Sequence, residues 1–163
     1  MTEFFIADMH FGSASNAKWR KFPASSDMET AIIRAWRERV VEGDTVWVLG
    51  DVGVLEPLHN LPGTKHLVFR NDDKPKGMFK DSGLFASYAN SCIHESDRGS
   101  IILTHRPKDA VDNGMPVLHG HTHAMPDEPD PRFVSVSVDK TGWGPITLDE
   151  VWQRIDQRLT ERG

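Results

Sequence analysis

The short apolar runs of this chain nearly all end at the same kind of residue. Glu3-Phe-Phe-Ile-Ala7 is followed by Asp8 and His10, Thr45-Val-Trp-Val-Leu49 by Gly50-Asp51, and His66-Leu-Val-Phe69 by Arg70-Asn71. Ser100-Ile-Ile-Leu-Thr104 is followed by His105, and Pro116-Val-Leu118 by His119-Gly-His-Thr-His123. Apolar runs of this length, bounded by polar residues, read as buried strands. Ligand sites in α/β sheets lie where loops leave the strand ends. A chain that puts oxygen and imidazole side chains at five such ends is expected to be an α/β sandwich with largely buried sheets.

Other segments fill in the frame. Asp8 to Pro23 has no clean period and contains Gly, Ser, Asn and Pro, so it reads as a loop. A helix is expected from near Ser26, where Ser26 and Glu29 fit a capping box. Met28, Ile32, Ala35, Trp36 and Val40 recur there at helical spacing, and Gly43 is a suitable stop. A weaker strand over Ser91 to Glu95 is expected to turn at Asp97-Arg-Gly99 into the strand that reaches His105. Arg132 to Val138 alternates and reads as a further strand. The last helix starts at Thr147, with Glu150 completing a second capping box and Leu148, Val151, Trp152, Ile155 and Leu159 as its apolar stripe. The 163 residues, without repeat or linker, suit a single domain spanning 1–163.

Composition narrows the function classes. A net charge of −5 argues against broad, non-specific binding to duplex nucleic acid but leaves room for one nucleotide at a local basic patch. No apolar run is long enough to span a bilayer. The first residues carry an acid, Glu3, where a signal peptide would carry bases. One cysteine, Cys92, allows no internal disulfide, which agrees with the cytoplasmic location expected here. No activating feature surrounds Cys92, which reads as a small apolar residue rather than a nucleophile.

The residues at the strand ends have the chemistry of a metal site. Asp-x-His and His-x-His in an extended segment would put both side chains on one side, because direction alternates with period two. Carboxylate, amide and imidazole together suit Mn²⁺ best here, with iron, Zn²⁺ or Ni²⁺ as alternatives, and suit Ca²⁺ or Mg²⁺ less. With no thiolate in the set, a structural zinc site is not expected. Asp8, His10, Asp51, Asn71, His105, His121 and His123 outnumber the ligands of one tetrahedral ion. They match two divalent transition-metal ions about 3.5–4 Å apart that share a carboxylate and activate a water between them.

In order along the chain, Asp8-Met-His10, Gly50-Asp51, Asn71, Thr104-His105 and Gly120-His-Thr-His123 resemble the five motifs of the calcineurin-like metallophosphoesterases. The resemblance covers nearly the whole chain. Asp8-Met-His-Phe-Gly12 with Asn16, Gly43 to Asp51, and Gly142-Trp-Gly-Pro-Ile-Thr-Leu-Asp-Glu150 look like the small, stand-alone phosphoesterases of bacteria and phages. The resemblance implies a four-layer α/β/β/α sandwich of two mixed sheets flanked by helices. It also implies one ion on Asp8, His10, Asp51 and His123, and a second on Asp51, Asn71, His105 and His121. Asn71, Asp72 and His105 would face the phosphate.

Two departures bear on substrate. The family's third motif continues with His, whereas here Asp72 follows Asn71 and Asp73 follows that. The missing histidine is the one expected to contact phosphate and protonate the leaving group. Asp72 adds negative charge, which opposes a dianionic monoester more than a monoanionic diester. An ionised Asp also cannot protonate a poor leaving group. Phosphodiesters, including 2′,3′-cyclic nucleotides, are therefore the expected small substrates. A phosphomonoesterase and a non-catalytic binding module remain the alternatives. The other departure is Arg70 in place of Gly, either a contact to a phosphate oxygen or a solvated strand end.

Some residues have competing readings. Asn16-Ala-Lys-Trp-Arg-Lys-Phe22 mixes bases with aromatics. It either covers the site, with Asn16 against substrate, or is a solvated loop with Trp19 and Phe22 in the core. His59, His66 and His94 show no ligand spacing and read as surface or hydrogen-bonded residues. His119 reads as packing or as support for the ligands.

Overall fold

Phe4 and Ile6 face one way along the first strand, Phe5 and Ala7 the other, and all four are buried. That strand therefore has a core on each side. The computed structural model describes residues 1–70 and 76–161, so Asn71, Asp72 and Asp73 lie outside the described residues. Strand β1 (Glu3–Ile6) belongs to a five-stranded sheet with β2 (Thr45–Val48), β3 (Thr64–Val68), β4 (Phe85–Ala89) and the short β9 (Ile146–Thr147). The order is β4-β3-β2-β1-β9. The first four strands are parallel and β9 is antiparallel to β1. A second sheet orders β5 (Ser91–Ser96), β6 (Gly99–Thr104), β7 (Val117–His119) and β8 (Phe133–Ser135). Strands β5 and β6 form the hairpin expected around Asp97, and β6, β7 and β8 are parallel.

The described helices are α1 (Ala14–Trp19), α2 (Ser25–Arg37), α3 (Lys76–Asp81), α4 (Val138–Thr141) and α5 (Leu148–Thr160). Met28, Ile32 and Trp36 of α2 cover Phe4, Ile6, Val46, Val48 and Leu67 on the outer face of the first sheet. Between the sheets lie Phe5, Ala7, Leu49 and Val68 from one side and Ile101, Leu103, Leu118 and Val134 from the other. Val151, Trp152 and Ile155 of α5 join that inner core, where α5 packs against β1, β8 and β9. Full burial of each such aliphatic or phenyl group contributes about 1.5–3 kcal/mol. The architecture is two mixed sheets flanked by helices, as expected from the sequence. No helix among the described residues is long and apolar enough to cross a membrane.

Local expectations fared unevenly. The Thr147–Glu150 capping box forms. The Ser26–Glu29 box does not: α2 starts at Ser25, and Glu29 Oε1 instead accepts the Gly12 N–H at 2.7 Å. The loop at the end of β1 has recruited that carboxylate. The stretch expected as a loop from Asp8 to Pro23 contains α1, whose Ser13 hydroxyl accepts the Asn16 N–H. Six residues are too few to show a helical period. The strand expected over Arg132 to Val138 stops at Ser135, and the chain turns into α4.

Candidate metal centre

Because β1 to β3 are parallel, and β6 to β8 are too, their C-terminal ends gather the loops that follow. Main-chain hydrogen bonds stitch these loops together. Asp8 N–H donates to Gly50 O at 3.2 Å and His10 N–H to Asp51 O at 2.9 Å. Gly120 N–H donates to His105 O at 3.0 Å, and Val136 N–H to His119 O at 2.8 Å. A contact between the sheets closes the cluster: His121 N–H reaches both Asp8 carboxylate oxygens, at 3.0 and 2.9 Å.

Six of the seven residues expected as ligands meet there. One ligand atom each from Asp8, His10, Asp51 and His123 lie within 4.8 Å of one another, and so do atoms of Asp51, His105 and His121. Asp51 is common to both groups. The seventh, Asn71, is outside the described residues, as is Asp72.

The convergence does not arise from extended alternation, as the spacing had suggested. Asp8, His10, Asp51, His121 and His123 all have positive φ, between 49° and 69°. Asp and His are among the side chains that tolerate this left-handed region best. Each kink turns a side chain inward that an extended strand would send elsewhere. The flanking glycines follow from crowding. A Cβ on Gly50, itself at φ +80°, would stand 2.4 Å from His105 Nδ1, and one on Gly120 would stand 2.6 Å from the Ala7 Cβ. Only hydrogen fits at either place.

The donors are poised for a cation. His105 Nδ1 lies 2.7 Å from Leu49 O and so carries the proton, which leaves Nε2 with its lone pair. His105 Nε2 and His10 Nε2 are buried without a hydrogen-bond partner among the described residues, 3.3 and 3.4 Å from Asp51 Oδ2. Orphaned imidazole nitrogens facing a shared carboxylate, with no thiolate nearby, fit a divalent transition metal. Burial pushes the His10 pKa down to about 4 against the pull of Asp51, so His10 is neutral near neutrality. Burial lowers His121 as well. Burial also raises carboxylates, and for Asp8 it prevails. For Asp51 it is outweighed by His105, His10 and Arg70, which bring the pKa down to about 2. For His105, burial is outweighed by Asp51 and Asp8, and its pKa is raised.

Behind this cluster stands a pair that sequence reasoning missed. Asp139 Oδ2 lies 3.1 Å from His123 Nδ1 and accepts from Arg20 Nη2 at 2.7 Å and from Ser137 Oγ at 3.1 Å. Arg20 Nε donates to Asp139 Oδ1, and Arg20 Nη2 also donates to Asp8 O at 2.7 Å. Both side chains are almost fully buried. Burial alone would raise the Asp139 pKa, but His123 and Arg20 bring it to about 2. The pair thus braces the His123 ring from behind, Nδ1 lying 3.1 Å from Asp139 Oδ2 and 3.2 Å from Arg20 Nη2, as acids behind metal-binding histidines do. A signal for it existed: Asp139 follows the end of β8 as the other acids and histidines follow theirs.

The remaining candidates separate cleanly. Arg70 Nη1 lies 3.7 Å from Asp51 Oδ1, beside the centre. Asn16 and Trp19 border a recess next to His121 and His123. Trp19 is exposed and meets the His123 ring edge-on, so it does not join the core as one reading of that stretch had it, while Phe22 packs into the core against Trp143. His66 bonds Ser87 and stacks on Trp47, His94 faces Glu3, and neither joins the cluster. His119 is buried at the end of β7, with Nδ1 2.8 Å from Gly120 O. Cys92 is half-buried and its thiol is pushed up by burial, which suits an inert side chain.

No protein-family model matches the chain. It is 29% identical to Gene 66 protein of Mycobacterium phage D29, over 94% of this chain and 95% of that protein. Among solved structures, a protein of unknown function from Aquifex aeolicus superposes with a TM-score of 0.75 at 22% identity, covering 93% of this chain and 98% of that one. A novel archaeal phosphodiesterase superposes with a TM-score of 0.52 at 20% identity, over 84% of this chain and 82% of that one. At these identities the structural likeness concerns architecture. The chain thus shares the overall fold of these two structures, which here is two mixed sheets flanked by helices.

Proposed function

We propose that the protein is a metal-dependent phosphoester hydrolase that favours diesters over monoesters. One observation carries the reading: Asp51 belongs at once to two groups of ligand atoms, each within 4.8 Å. Asp8, His10, Asp51 and His123 would hold one ion, preferably Mn²⁺, and Asp51, His105, His121 and Asn71 a second. Two such cations would supply Lewis acidity to phosphoryl oxygens and would make water a stronger nucleophile near neutral pH.

The chain's own residues prepare the site. Leu49 O sets the His105 tautomer, Asp139 and Arg20 hold the His123 ring in place, and the His121 N–H holds the Asp8 carboxylate. Arg70 stands beside Asp51, where its guanidinium can donate to a phosphoryl oxygen. Hydrolysis joins the oxygen of water to phosphorus, breaks one P–O ester bond and leaves a proton on the departing alcohol. Asp72 occupies the motif position of the histidine that would deliver that proton. Substrates with good leaving groups, and with one negative charge rather than two, are least affected by the exchange. The substrate class is therefore small phosphodiesters.

The test uses purified protein with Mn²⁺ and two aryl esters. We expect a higher kcat/KM for bis-p-nitrophenyl phosphate than for p-nitrophenyl phosphate, and a gain on the monoester from Asp72→His. Faster monoester cleavage by the wild type would overturn the diester preference. No bound metal together with no turnover of either ester would favour a non-catalytic binding module on this fold.

A further inference from the structure

His121 and His123 also line a surface recess of about 250 Å³, shared with Asn16, Trp19, Thr122 and Met125. Trp19 is 55% exposed and Met125 63% exposed. Large apolar side chains left in solvent beside a polar centre mark a contact surface. Trp19 is also held in place. It is the last residue of α1, and the next residue, Arg20, has its guanidinium buried on Asp8 O and Asp139. The indole meets the His123 ring at 5.6 Å, nearly perpendicular to it. The anchor that orients a ligand thus also fixes the indole at the rim. Phe22, by contrast, does enter the core, so the outward course of Trp19 is not shared by the whole segment.

We propose that this recess is a nucleobase subsite, in which Trp19 stacks the base of a nucleoside phosphodiester whose phosphate lies at the Asp51 cluster. The inference rests on the hydrolase reading and narrows its substrate class from diesters at large to nucleoside diesters. An indole face accepts any base, so affinity comes from stacking without reading sequence. The Met125 thioether supplies a soft, polarisable wall, and the Asn16 amide supplies both a donor and an acceptor at the edge. A recess of this size admits one base, in keeping with a chain whose net charge of −5 does not favour duplex binding.

Two diesters that share a p-nitrophenolate leaving group test this with the Mn²⁺-loaded full chain: thymidine 5′-p-nitrophenyl phosphate and ethyl p-nitrophenyl phosphate. The wild type is expected to favour the nucleoside ester in kcat/KM. Trp19→Ala should lower that ratio about tenfold, and Trp19→Phe should keep most of it. Equal losses on both esters, or no change, would overturn the subsite. Calorimetric binding of thymidine 5′-monophosphate against ribose 5-phosphate separates the two claims. Base-dependent binding lost in Trp19→Ala, with neither ester turned over, upholds the subsite while the hydrolase reading falls. Turnover without any base-dependent binding overturns the subsite alone.

Discussion

The two sides of the candidate centre are held by different means. His123 is oriented by a side chain, Asp139, which is locked by Arg20 from 119 residues away in sequence. His105 is oriented by the main-chain carbonyl of Leu49. The first arrangement depends on two residue identities and can be erased by exchanging either one. The second depends on the course of the backbone, so only a change that moves the backbone or fills its space can erase it. A site of this kind has one side exposed to point substitution and one side largely insulated from it.

The sharpest way to break this contrast is Gly50→Ala. The new Cβ would stand 2.4 Å from His105 Nδ1, at a φ that disfavours L side chains. We expect the His105 side to lose its Mn²⁺ almost entirely while the other side keeps its own. Titration calorimetry should then show one ion, abolished by a further His10→Ala but not by a further His121→Ala. Next in size is Asp139→Asn, which leaves Arg20 buried without its charge partner. Affinity on the His123 side should fall about 10–100-fold. Here the dependence reverses: the surviving tight ion should vanish with His121→Ala and tolerate His10→Ala. Equal loss on both sides from either variant would mean that the halves are not separately supported.

How much of this was legible in the sequence follows the same division. Asp8, His10, Asp51, His105, His121 and His123 could be proposed because each sits in a short motif at the end of an apolar run. Strand ends are local facts, and the parallel sheets gather them. Asp139 had a local signal in its place after a strand, but its pairing with Arg20 is a contact across 119 positions that neither neighbourhood announces. The segment holding Arg20 reads as a loop because α1 is one short turn-and-a-half with no apolar stripe. Strand β4, Phe85-Ala-Ser-Tyr-Ala89, went unread because it mixes small and polar residues and takes its place by pairing with β3. The Ser26–Glu29 pattern was correct chemistry with another partner available, since Glu29 serves Gly12.

The smallest expected effect sharpens the contrast by acting on neither side. Asp44 accepts the Thr2 and Val41 N–H groups at the start of β1 and β2, away from the ligand ends of both strands. Those two hydrogen bonds hold its pKa below the usual carboxylate value of about 3.9. A depressed folded-state pKa stabilises the fold above the unfolded value, and that contribution is lost as pH falls through the folded one. Asp44→Ala should therefore melt below the wild type at pH 7, and the gap should close as the pH drops below about 4. Metal affinity should be unchanged on both sides. A gap that widens in acid would contradict the assignment.

The five left-handed residues among the candidate ligands have a consequence for anyone who would transplant this site. Asp-Met-His or His-Thr-His grafted onto a straight strand end elsewhere would carry the right side chains pointing along the wrong lines. Their convergence comes from kinks at Asp8, His10, Asp51, His121 and His123, and neighbouring loops hold those kinks through main-chain hydrogen bonds. What has to be copied is a knot of backbone contributed by four strand ends at once. The motif letters are its most portable part and its least sufficient.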